Sequence, residues 1–257
     1  MGWFWTSTAN TTDRDEVASP RHDAEYNNDI SMCPVMHNSS DDKEAHAQGL
    51  NPLNYLPRDL SPTKKQPGQK LDLTTNKTVS TIPRGSNEGK WEYPSAQQMY
   101  NAMLRKGKIN QEETLQGDTV EAMVQIHNFL NESCWFEILR WEKPYTDVTH
   151  TEPKLLKFMG KPGILTPRAR ITHYLSYIFP SKFQRELPFD RHDWIVLRGN
   201  KDTKVRYVLD FYGGPDDSNG MPTFSVDVRP ALDNLTNVKD RFNHFTSSIL
   251  SKLSSEK

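Results

Sequence analysis

Thiols are scarce in this chain. Only Cys33 and Cys134 occur among 257 residues, and no Cys-x-x-Cys pair is present. That excludes a disulfide framework, a vicinal-dithiol redox motif and a structural zinc site built by the chain alone. Long apolar runs are missing too. No stretch approaches the roughly 18 apolar residues of a spanning helix, so an integral membrane protein is excluded. Hydrophobic residues make up only 35% of the chain and the mean hydropathy is -0.78, so part of it is expected to stay disordered. There is no internal repeat, and no nucleophile–base constellation stands out.

Charge of one sign is also lacking overall, since the formal net charge is -1. It is unevenly spread, however. Residues 1–60 hold ten acidic and four basic side chains, net -6, which leaves +5 for the remainder. The remainder mildly favours an anionic ligand, and no nucleic-acid partner is expected. The chain divides into an acidic tail over residues 1–50, read as disordered, a proline-rich extended arm over 51–90, and a folded domain over 91–257. Apolar residues Leu53, Tyr55, Leu56, Leu71 and Leu73 favour an arm that wraps on the domain over a free linker.

The first five residues, MGWFW, are a plug that docks on the body or an anchor at a membrane interface. Gly2 with Thr6 also fits the loose myristoylation pattern. No arginine-rich presequence or secretory apolar segment is seen, so no cleaved targeting peptide is expected. Within the tail one island stands out, Met32-Cys33-Pro34-Val35-Met36-His37. Pro34 keeps Cys33 out of helix and extended, leaving its thiol available. Soft sulfur and imidazole ligands there could bind haem iron; the alternative is an incidental surface cysteine.

Beyond the arm, Ser95 with Gln98 forms a capping box that starts a helix, stopped at Gly107. Asp118 with Glu121 forms another at the head of DTVEAMVQIHNFLNESCWFEILRWE, residues 118–142. This stretch reads as one helix, or as two with a break near Asn131. Its apolar side carries Val120, Met123, Val124, Leu130, Cys134, Ile138 and Trp141, and His127 faces the same way. Cys134 is expected to be buried. A loop is expected after Lys143-Pro144. Thr166-Pro167 then starts a third helix with proline at its first position. Three strands are predicted, Trp194–Arg198, Lys204–Tyr212 and Thr223–Arg229, joined as an antiparallel meander. A last amphipathic helix opens at Pro230, with Leu235, Val238, Phe242, Phe245 and Ile249 expected to cover the sheet. The fold class is therefore α+β: helices around a small antiparallel sheet, with a disordered N-terminal tail.

The candidates for chemistry are few. A histidine on an apolar stripe is a silent core residue or a ligand held in a dry pocket, because neutral imidazole binds metals and haem iron. Spacing alone favours the silent reading for His127. Arg168 and Arg170 oppose the dipole in the first turn of their helix, so solvent exposure or an anionic ligand must explain them. His192, between Arg191 and Asp193 just before a strand, is a ligand, a proton donor or a structural hinge.

The segments IHNFLNESCWFEILRWE, TPRARITHYL, LPFDRHDWIVLRG, VRYVLDFYGG and DVRPALDNL together resemble the holocytochrome c synthase (cytochrome c haem lyase) family. CPVMH, NPLNYLP and WEYPSAQQMYNAMLRKGKI look like its fungal members. The resemblance implies a lyase that binds haem b as substrate and joins its two vinyl groups to the thiols of a CxxCH motif in apocytochrome c. It implies residence in the mitochondrial intermembrane space, peripheral on the inner membrane. Carried over by position, the axial haem ligand falls on His127 and the haem-regulatory Cys-Pro motif on Cys33 and Pro34. PFDRHDW brings His192 into haem handling. Haem propionates would then suit Arg168 or Arg170, and Asn128, Glu132 and Asp193 could orient ligand histidines or serve as plain caps. A cytochrome c1 haem lyase and a haem-carrying chaperone remain the alternatives.

Overall fold

Period-two alternation builds the centre of the molecule. In the computed structural model, residues 61–255 are described apart from residues 62, 87, 106–116, 162, 184, 200–202 and 219–222. The tail, the MGWFW end, Cys33-Pro34, the first part of the arm and Gly107 lie outside the described residues. A four-stranded antiparallel sheet runs in the order β3 (Lys154–Gly160), β4 (Asp190–Arg198), β5 (Thr203–Gly213), β6 (Phe224–Pro230). The three predicted strands are β4 to β6. The edge strand β3 is an addition, paired Leu155 to Val196 and Gly160 to His192 with an irregularity between Leu155 and Lys157.

β4 starts four residues before the predicted Trp194, and this sets the phase of the sheet. Trp194 and Val196 of β4, Val205, Tyr207, Leu209 and Phe211 of β5, and Val228 of β6 share one core cluster. Alternate residues along a strand share a face, so Asp190 and His192 stand on this apolar face. Arg191, Asp193, Arg206, Asp210, Asp227 and Arg229 stand on the other.

Helix α2 (Gly117–Thr149) crosses the apolar face, and α1 (Ala96–Arg105) packs on its first half. Leu130, Cys134, Trp135 and Ile138 enter the sheet's cluster, and Trp141 donates its indole N–H to Val228 O at 3.0 Å. A second cluster joins Leu73, Met99, Tyr100 and Met103 to Val120 and Val124. The arm therefore does wrap, and Leu73 anchors it. Ser95 caps α1 as expected, accepting from Gln98 N at 3.2 Å.

Of the two readings of this stretch, one helix or two, the structure has one, with no break near Asn131. Asn131 turns its amide back to donate to His127 O at 2.8 Å, and Ser133 does the same to Phe129 O at 2.9 Å, so both side chains bond into the helix that continues past them. The loop expected after Pro144 does not form, and the helix runs to Thr149. Pro144 removes one N–H, but Lys143 pairs with Asp147 and Thr149 Oγ1 donates to Tyr145 O at 2.8 Å. Tyr145 also donates to Asp240. His150 then stops the helix in the left-handed region, φ 53°.

Part of the stretch read as arm is a hairpin. β1 (Val79–Pro83) pairs antiparallel with β2 (Lys90–Glu92), and Ile82 and Trp91 join the main core. The polar face of the sheet is covered by α3 (Pro167–Ile178). Its cap, Thr166, uses its whole hydroxyl: it donates to Asp210 at 2.7 Å and accepts from Ala169 N at 3.2 Å and Arg229 at 3.0 Å.

The last helix, α4 (Leu235–Ser255), does not cover the sheet with its apolar stripe. Leu235 is 87% exposed, Phe242 65% and Phe245 63%. Its opposite side docks instead: Asn237 donates to Ala231 O at 2.7 Å, Asp240 pairs with Arg198 at 3.1 Å, and His244 stacks on Trp141. The periodicity was right for a helix, but polar bonds decided which side faces the protein.

Candidate functional site

Where α2 passes the start of β4, two histidines meet. His127 comes from the helix face toward the sheet, and His192 comes from the apolar face of the strand. His127 is half-buried, with the ring edge of Tyr93 against it at 6.3 Å between centroids. Asn131, one turn on, places its amide nitrogen 3.3 Å from both ring nitrogens. Burial pushes the His127 pKa down to about 4, and the nearby His192 adds to this. A hydrogen bond from the ring to the Asn128 side-chain oxygen and the charge of Asp190 oppose the shift without reversing it. The imidazole is thus neutral at pH 7, the form with a lone pair for a metal.

His192 is buried and bonded through Nε2 to Asp190 Oδ2 at 3.2 Å, with the ring of Phe211 edge-on at 5.2 Å. Asp190 also accepts from Arg191 N at 2.8 Å through its other oxygen, which fixes the carboxylate. Donation of Nε2–H to Asp190 selects one tautomer of His192 and directs the other nitrogen away from the aspartate.

Asn128 lies beside His127, and its Oδ1 is buried against the ring. Among the described residues no group of three or more His, Cys, Asp or Glu could hold a metal ion.

Other expected residues are placed differently. Glu132 accepts four hydrogen bonds, from Ser80 Oγ at 2.6 Å, Thr81 N at 3.0 Å, the Thr81 hydroxyl, and Tyr93 OH at 2.8 Å. It clamps the β1–β2 hairpin to α2, and its link to His127 runs through Tyr93. Asp193 lies across the sheet from His127, fully buried among Lys161, Arg191 and Arg206. Asp190 holds His192 instead, because residues i and i+2 of a strand share a face. Arg168 pairs with Asp227 at 3.1 Å on that same far side, and α3 holds Arg170 there too. The structure does not bring these arginines together with His127. Cys134 is buried as expected, and burial pushes its thiol well above the usual range, so it is a packing residue. Sequence reasoning missed Asp190, Tyr93 and the back-bonded Asn131. The spacing of Asn131 from His127, four residues along a helix, was the one available signal.

A family model described as cytochrome c/c1 heme lyase matches residues 8–245. The chain belongs to this family. As a heme lyase relative, it is 54% identical to the holocytochrome-c synthase of Saccharomyces cerevisiae over 99% of this chain and 98% of that one. It is 40% identical to the Homo sapiens holocytochrome c-type synthase over 81% of this chain and 72% of that protein. It is 41% identical to a putative holocytochrome-c1 synthase of Schizosaccharomyces pombe over 62% of this chain and 69% of that one. No solved structure matches the chain. The resemblance seen in IHNFLNESCWFEILRWE and its companion segments therefore holds for a heme lyase over nearly the whole length.

Proposed function

We propose that this chain is a cytochrome c haem lyase that holds haem through His127 while apocytochrome c adds its two CxxCH thiols across the haem vinyl groups. The carrying observation is His127: a neutral imidazole on an unbroken helix, beside a second histidine held by Asp190. The full-length identity to a holocytochrome-c synthase supports the choice of c over c1, since the putative c1 synthase is 41% identical over a smaller share.

Each addition forms one C–S bond at a vinyl carbon, and the thiol proton ends on the neighbouring carbon. The nucleophiles belong to the substrate, so the work left for this chain is placement. His127 fixes one face of the haem iron, leaving the other for the histidine of CxxCH, which sets both thiols beside both vinyls. Restraining the partners in this way can remove up to about 7–11 kcal/mol of barrier. His192, aligned by Asp190, would serve the haem site as a second histidine. Cys33-Pro34 would act earlier, in haem capture. The proposed setting is the intermembrane space, peripheral on the mitochondrial inner membrane; no described helix is long and apolar enough to cross a membrane.

Purified full-length protein, ferrous haem and reduced apocytochrome c should yield haem that resists acid–organic extraction. Extractable haem alone would make the protein a carrier. His127→Ala should abolish co-purifying haem and product together. A variant spectrum that still shows the same axial histidine would overturn the assignment.

A further inference from the structure

Amphipathic helices normally turn their large apolar side chains inward, and α3 does the reverse. Its inward side is small and polar: Ala169 is 2% exposed and Ser176 3%, with Thr172 between them. Its outward side carries Ile171, Tyr174, Tyr177 and Ile178, all more than half exposed, and Phe179 follows at 49%. The spacing i, i+3, i+7 from Ile171 through Tyr174 to Ile178 makes one stripe. The helix is held this way round by its cap, since Thr166 is bonded to Asp210 and Arg229 of the sheet.

The charge along the segment that carries the stripe has one sign. From Pro153 to Arg185 there is no Asp or Glu, against seven Lys and Arg. At the end of the stripe the chain folds back, His173 Nδ1 donating to Arg185 O at 2.7 Å and the Arg185 guanidinium lying 5.0 Å from the centre of the Tyr177 ring. This leaves an open cleft of about 470 Å³, lined by Ser176, Ser181, Lys182 and Arg185 with Tyr177 and Phe183. Two cations and two hydroxyls beside aromatic rings are the chemistry of a phosphate headgroup next to its acyl chains.

We propose that the outward face of α3 lies on an anionic membrane surface, with Ile171, Tyr174 and Ile178 at the acyl boundary and Lys182 and Arg185 taking lipid phosphates in the cleft. This deepens the peripheral-membrane part of the function proposed above by naming its surface. A bilayer supplies both things the face asks for, an apolar layer and a continuous sheet of negative charge. A protein partner would need an acidic counterface of matching shape. The helix is too short to span, so it lies in the plane of the surface.

Flotation of the full-length protein with phosphatidylcholine vesicles, with and without phosphatidylglycerol, tests this. The native chain should float with the anionic vesicles only, and less so at high salt. The triple variant Ile171→Ser, Tyr174→Ser, Ile178→Ser should partition at least about tenfold less. The double variant Lys182→Glu, Arg185→Glu should lose the preference for anionic lipid. All these positions are exposed, so haem absorbance and haem attachment in detergent should match the native protein; that readout reports separately on the haem-lyase reading. Triple-variant flotation equal to the native protein overturns the proposal. So does a triple variant that floats normally but loses apocytochrome c binding, which would make the stripe a protein-docking face.

Discussion

Removing the Glu132 carboxylate gives the sharpest test of how α2, the helix that carries His127, is held. Glu132 accepts from Ser80, twice from Thr81 and from Tyr93. Glu132→Ala deprives all of these donors, but they do not suffer equally. The Thr81 groups are exposed and turn to water at little cost. Ser80 is 2% exposed and Tyr93 8%, so both lose a charged acceptor without access to solvent. Hydrogen bonds to charged groups contribute about 1.5–3 kcal/mol each. Two such losses give about 3–6 kcal/mol, moved toward the lower end because Ser80 can still donate to Tyr93 OH. The expected result is a lower urea midpoint for the full-length variant, with faster amide exchange concentrated in β1 and β2. Because Tyr93 rests on His127, haem affinity should fall along with hairpin protection. Glu132→Gln should lie between, since it keeps an acceptor and loses the charge. A midpoint within error of the native protein, or loss of protection spread evenly over the molecule, would refute the clamp.

Two further outcomes follow from buried charge. His127 titrates near 4 in the folded protein against 6.5 for an unperturbed histidine, so between those values the unfolded chain binds a proton that the folded chain does not. Stability should be intact above pH 6.5 and fall progressively toward pH 4, by at most about 3 kcal/mol from this group. His127→Gln should flatten that part of a plot of urea midpoint against pH, and an unchanged slope would place the loss elsewhere. Glu142 is 1% exposed and receives both Arg198 Nε at 2.8 Å and Tyr207 OH at 2.5 Å. Glu142→Ala leaves the buried Arg198 with Asp240 and deprives Tyr207 OH of its charged acceptor, and should cost about 2–3 kcal/mol in urea unfolding. It lies about four helical turns from His127, so the haem spectrum of the folded variant should not change.

The meander of β4 to β6 was legible because period two survives in VRYVLDFY and its neighbours, and α1 and α3 were marked by Ser95 and Thr166. Less visible were β1, β2 and β3, which are short and take their pairing from distant residues. Trp91 illustrates this: its indole N–H donates to Leu155 O, 64 positions along the chain. Pro144 masked the last turns of α2, since a proline breaks a pattern even where side-chain bonds carry the helix through. Placing the start of β4 at Trp194 left His192 before the strand, and with no strand phase to consult, the sequence pointed to the adjacent Asp193, and Asp190 was missed. The apolar periodicity of α3 and α4 says that each helix has an apolar side. It does not say which way that side points, and in both helices capping and salt-bridge residues turned it outward. His127 stood out from spacing only as a residue facing inward, and the family segments gave it a role.

The continuity of α2 has a consequence for turnover. The helix is tied at Glu132 to one hairpin and at Glu142 to the sheet, with no hinge between them. With His127 as the proposed axial ligand, an imidazole mounted on such a beam would not be carried aside by the helix to let its cargo go. Release must come from the other partner: the finished cytochrome, folding around its own haem, would peel the iron off a stationary post. On that view the lyase is an anvil, and the moving part of the cycle is the product.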